Sequence, residues 1–228
     1  LTPFITNPYR FAGTGADHEY ITDLSTNDGW AGTGTYSYVT NYLQLSSNAG
    51  AIVIDLEDAD VFGTGNLLSD TTHYTEYQFR VVSVGGADNE HMMGFSTVNQ
   101  TGGRTTSQAW FGMASLIGYA PSPAQNGMYV ESTASGNVPV AGGGTKAAYQ
   151  MVSSTTYMIK LRRLTSTTAS VEIWNSAGTT QHATSGTHTI LSTEGNSLKY
   201  IKFLTYNSAS SSYSYQIHDI TVRSGVSE

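Results

Sequence analysis

The 228-residue chain has 12% charged residues, a net charge of −7 and no cysteine. That balance excludes the basic footprint a nucleic-acid binder needs, and the missing cysteine excludes a disulfide framework, thiol catalysis and cysteine-ligated zinc. No apolar run reaches the ~18 residues of a membrane-spanning helix.

The first sixteen residues carry Pro3, Pro8, Gly13 and Gly15 and read as an irregular N-terminal arm. Residues 17–228 read as one domain, a length ordinary for a single β-sandwich. No helical period appears. Alternation of two dominates, with turn clusters between the runs. The pattern predicts strands over 36–39, 42–46, 51–56, 74–84, 90–96, 109–117, 127–131, 156–164, 169–174, 200–206 and 214–222. In the fourth of these, Tyr77, Phe79 and Val81 share one face, while Glu76, Gln78 and Arg80 share the other. Such strands bury one face of an antiparallel sheet. The fold class is therefore all-β, a two-sheet antiparallel sandwich. Its predicted core holds Tyr77, Phe79, Val171, Ile173, Ile201, Phe203, Ile217 and Ile220. Turns at 85–89 and 175–178 supply the residues tight hairpins need. Longer loops at 119–126 and 138–146 are candidates for function, as long loops in small domains often are.

Serine, threonine, asparagine, 24 glycines and 15 tyrosines replace the missing charge. This surface suits sugars or neighbouring subunits. An aromatic face meets the C–H side of a sugar while polar neighbours take its hydroxyls. The candidate sugar-binding residues are Trp174, beside the 175–178 turn, then Tyr206, Tyr213 and Tyr215 around the Ser-rich segment 208–212, with Gln78 and Arg80. Asp55 and Glu57 alternate onto one strand face, and Asp60 follows. This is the spacing of paired carboxylates in a glycoside hydrolase. No two histidines stand at zinc-ligand spacing, though His182 and His188, six apart across a predicted hairpin at 184–186, could approach each other.

Further residues carry a resemblance. Asn27-Asp28-Gly29-Trp30, Met93-Gly94-Phe95-Ser96, Gly127-Met128-Tyr129-Val130 and the closing run Gln216-Ile217-His218-Asp219-Ile220-Thr221-Val222 resemble the concanavalin A-like lectin and glucanase superfamily, in its laminin-G-like jelly-roll form. The resemblance covers about residues 17–224 and specifies a fold, since the superfamily holds lectins, carbohydrate-binding modules, hydrolases, lyases and virion proteins. It implies a glycan or polysaccharide partner and an extracellular, cell-surface or virion location. A display module is the first reading, and a structural or receptor-binding subunit that self-associates or contacts neighbouring subunits is the alternative. Asp219 stands where relatives hold a structural Ca²⁺, with Asp17 or Asp23 to close the site. Gln216-Ile217-His218 resembles a lyase tripeptide, which with Arg80 and Tyr206 would make an acid–base set. Its chain order is reversed, and the acidic run Asp55, Glu57, Asp60 departs from the hydrolase pattern in side-chain length. A polysaccharide lyase or glycoside hydrolase on the same fold is thus the third reading, behind the two non-catalytic ones, and the expectation is no cleavage of polysaccharides.

Overall fold

The computed structural model describes residues 17–32, 36–46, 50–58, 61–69, 71–85, 89–99, 110–117, 126–133, 140–141, 146–192, 198–207 and 212–228. Among these, the strands in chain order are β1 (His18–Thr22), β2 (Ala31–Gly32), β3 (Tyr36–Val39), β4 (Tyr42–Ser46), β5 (Gly50–Asp55), β6 (His73–Gly85), β7 (Asn89–Ser96), β8 (Trp110–Ile117) and β9 (Gly127–Thr133). They continue with β10 (Val140–Ala141), β11 (Ala147–Ala148), β12 (Thr155–Thr165), β13 (Thr168–Asn175), β14 (Gln181–Thr184), β15 (His188–Thr189), β16 (Tyr200–Asn207) and β17 (Ser212–Ser224). Each predicted strand is present. β1, β2, β10, β11, β14 and β15 were not read from the sequence; all but β1 have four residues or fewer, too few for alternation to show. The arm, most of both long loops and the centre of the 85–89 turn lie outside the described residues.

The strands form two antiparallel sheets. Sheet A runs β14-β13-β12-β6-β17-β4-β3, with β1 also on β17 and β15 on β13. Sheet B runs β10-β9-β8-β7-β16-β5-β2, with β11 also on β9. Successive hairpins build β7-β8-β9 and β12-β13, whereas β6 sits between β12 and β17. The chain thus crosses repeatedly between layers, as a jelly roll does.

One continuous core fills the space between the sheets. Tyr77, Phe79, Val171, Ile173, Ile201, Phe203, Ile217 and Ile220 all belong to it. Each large apolar side chain buried there contributes about 1.5–3 kcal/mol. In β17 the inward positions are Tyr215 and Ile217, then Ile220 and Val222. The phase changes at a bulge between His218 and Thr221, where Asp219 takes φ 44°. One extra residue resets which side chains face inward, so both apolar pairs reach one core.

Two histidines and an arginine share this interior. His91 is fully buried, its Nε2 3.0 Å from Tyr77 Oη, with its ring stacked on Phe79. His73 lies edge-on to Phe95 and Phe111. Burial pushes both histidines down to about 3, and Arg163 adds to the effect at His73. Arg163 is fully buried, donates to the carbonyls of Thr165 and Ser166, and sits 5.1 Å from the Phe111 ring.

Candidate functional site

Each sheet has a second face turned away from the core, and the two differ. On sheet B the outward residues alternate with the core residues of β5, β16, β7, β8 and β9. Cross-strand pairing aligns Val53, Lys202, Gly94, Gly112 and Glu131 in one row. The next row holds Asp55, Tyr200, Ser96 and Trp110. Val53, Met92, Trp110 and Leu204 form a second apolar cluster here, separate from the core, with Tyr129 and Tyr200 half-buried at its margin.

The glycines explain how an indole fits on a sheet. A methyl group built on Gly94 would stand 2.7 Å from Trp110 Cζ2 and 2.5 Å from the Phe111 carbonyl oxygen, and one on Gly112 would stand 3.0 Å from the same indole atom. A strand glycine marks such a close approach. Trp110 is 0% exposed, and its Nε1 finds no acceptor among the described residues. Lys202 and Glu131 are buried beside it, and burial lowers Lys202 to about 8. Lys146 and Lys199 lie over the rings of Tyr129 and Tyr200, at 5.8 and 5.2 Å. An apolar floor with a few convergent polar groups is the usual make-up of a ligand site. Sequence reasoning missed these residues. The available signal was a glycine inside each of two otherwise apolar strands, Met93-Gly94-Phe95 and Phe111-Gly112-Met113.

On sheet A the outward face is polar. Register aligns Gln44 with Gln216, Gln216 with Arg80 and Arg80 with Thr156. Beside that row lie His218, Gln78, Met158 and Trp174. Further along, Lys160, Glu76, Glu172, Arg162, Arg223 and Glu19 make a lattice of ion pairs. Trp174 Nε1 donates to Glu172 at 2.7 Å, and Lys160 Nζ stands 4.5 Å from its ring centroid.

The sequence-predicted sites map onto this geometry as follows. Gln78, Arg80 and Trp174 do share one face. Tyr215 does not join them: it is a core residue stacked against Phe79, because β17 alternation turns it inward. Tyr213 and Tyr206 lie on β17 and β16, in different sheets. Of the lyase set, Arg80, Gln216 and His218 gather on sheet A, but Tyr206 belongs to sheet B, one core thickness of about 10 Å away. His218 Nδ1 is 2.9 Å from the Asn41 carbonyl. Asp55 and Glu57 meet at the end of β5, where Lys199 bridges them at 3.9 and 2.7 Å. The Glu57 amide also donates to Asp55, so the pair is a neutralised turn; Asp60 lies outside the described residues. Trp30 is a core residue that donates to Tyr20, which donates to Asp28. The Asp28–Trp30 element therefore works as a structural clasp. β14 and β15 each pair with β13 and not with each other, so His182 and His188 form no hairpin pair. His182 stacks on Tyr149.

At the implied calcium position, Asp219 is exposed at the β17 bulge. Its carboxyl is raised by desolvation and by Asp23, and His218 opposes the shift. Asp23 is thus the nearer acid, its Oδ1 accepting from the Ser25 amide at 2.9 Å. Asp17 instead ties its backbone to Ser224. Two carboxylates fall short of the six to eight oxygens Ca²⁺ takes, and no group of three acidic, histidine or cysteine ligands occurs among the described residues.

This arrangement of strands is a concanavalin A-like jelly roll. Solved structures with the same fold include a protein of unknown function from Shewanella oneidensis MR-1, at 14% identity and TM-score 0.58, covering 100% of this chain and 98% of that one. The Emp47p carbohydrate recognition domain aligns at 13% identity and TM-score 0.58, over 95% of this chain and 100% of that one. The VIP36 exoplasmic/lumenal domain, in a form bound to Ca²⁺ and Man3GlcNAc, aligns at 11% and 0.58, over 92% and 90%. No protein-family model and no curated protein matches the sequence. Identities this low establish a shared fold alone.

Proposed function

We propose that this domain is a non-catalytic carbohydrate-binding module of an extracellular, cell-surface or virion protein, and that it takes its glycan at the margin of the outer side of sheet B, where Tyr129 and Tyr200 stand half-buried beside the Trp110 cluster. The observation that carries the reading is the Trp110 cluster. A sandwich sheet normally presents polar side chains outward, yet this face holds an indole in a two-glycine slot, tyrosines at its margin and a buried lysine and glutamate. The fold it shares with the Emp47p and VIP36 domains, the first a carbohydrate recognition domain and the second solved with a glycan bound, supports the reading as analogy.

The test is a glycan array followed by titration of the best ligand. Tyr129→Ala and Tyr200→Ala should each weaken binding about tenfold, the worth of one ring stacked in a site. A ligand whose affinity ignores both substitutions overturns the assignment of the face, and an array without any ligand overturns the function. A structural Ca²⁺ beside Asp219 is a separate expectation. A bound cation raises stability by mass action, so identical melting curves in chelator and in excess Ca²⁺ would remove it.

A further inference from the structure

The geometry points to a second binding surface, on the outer face of sheet A, for a carboxylated polysaccharide. Arg80 carries the argument. It is exposed, and it makes no hydrogen bond or ion pair among the described residues. The other described arginines are engaged: Arg162 with Glu172 and Glu228, Arg163 with two carbonyls, and Arg223 with Glu19. A guanidinium left open presents a planar fork that fits a carboxylate with two parallel N–H bonds.

Its neighbours suit the rest of a sugar chain. Gln216 stands in register with Arg80 across β17, and Gln78 is two residues away on the same face. Gln216 Nε2 donates to Gln44 Oε1 at 3.1 Å, and Gln44 donates to Ser214. Gln78 has no partner among the described residues. These amides offer donors and acceptors to hydroxyls. Trp174 and Met158 give an apolar end, and His218 with Tyr42 closes the other. The strip crosses β4, β17, β6, β12 and β13, a span of about 19 Å at the usual strand spacing, so it fits a chain and not a single ring. The acids bordering the strip are Glu172, held by Trp174 and Arg162, Glu76, shared between Tyr74 and Lys160, and the exposed Asp219 beside His218. None of them is cross-strand from Arg80.

This surface is independent of the sheet B reading, and the test separates them. Polygalacturonate is the carboxylated probe and laminarin the neutral control, measured by affinity electrophoresis. Polygalacturonate should be retained, any retention by laminarin should be unaffected by Arg80→Ala, and retention by polygalacturonate should weaken with salt as Arg80 is screened. Arg80→Ala should lower affinity for polygalacturonate about tenfold or more, the scale of one charge-assisted contact. Arg80→Lys should restore part of it. Arg80 is exposed, so its variants test binding without a folding cost. Absence of polygalacturonate retention, or retention that Arg80→Ala does not change, overturns the proposal.

Discussion

Trp174 and Trp110 occupy outward positions on opposite sheets, and their surroundings differ in kind. Trp174 is half-buried among charges, its N–H held by Glu172 and its ring beneath Lys160. Trp110 is sealed against two glycines, with apolar neighbours and a buried lysine and glutamate. Sheet A thus keeps a solvated outer face, whereas sheet B carries a second buried cluster on its outer side. The difference shows that a sandwich face need not be surface merely because it points away from the core.

The largest effect that would sharpen this contrast comes from truncating each indole. Trp110→Ala should cost about 3–5 kcal/mol, because a fully buried ring leaves a cavity. Trp174→Ala should cost about 1 kcal/mol or less, the worth of a half-exposed ring and its cation. Urea unfolding of both variants measures the pair, and equal losses would dissolve the distinction.

Next in size are the buried titrating groups, which one stability–pH curve reads together. Lys202 on the sheet B face is lowered to about 8 from an ordinary 10.5. Between those values the unfolded chain binds its proton more tightly, so stability should rise with pH across that window by up to about 3 kcal/mol. Lys202→Met should abolish the rise. His73 and His91, in the inter-sheet core, are lowered to about 3 from 6.5. Each therefore contributes stability that is present above pH 6.5 and is lost as pH falls toward 3, at about 1.4 kcal/mol per unit. His91→Gln should roughly halve that acid slope. A flat alkaline limb in the unsubstituted protein would show that Lys202 is solvated after all.

The smallest effect belongs to sheet A. Arg162 and Glu172 approach to 3.4 Å at 17% and 14% side-chain exposure. A double-mutant cycle on them should give about 0.5–1 kcal/mol, declining with added salt. A salt-independent coupling several times larger would make that face another interior.

The sequence by itself determined the strands that are long enough to alternate, and with them the inward set from Tyr77 to Ile220. It even encodes the β17 bulge, since the apolar positions Tyr215, Ile217, Ile220 and Val222 skip one residue at the point where Asp219 turns. Period two, however, states only that a side chain faces in or out. It does not state which strand lies beside it, because pairing joins segments far apart in the chain. Only the tertiary structure could set Arg80 beside Gln216, put Tyr206 in the opposite sheet, and lay Trp110 across glycines from two different strands. His91 and Lys202 were illegible for a related reason: a polar side chain on a strand reads as solvated until the layers packed over it remove the water.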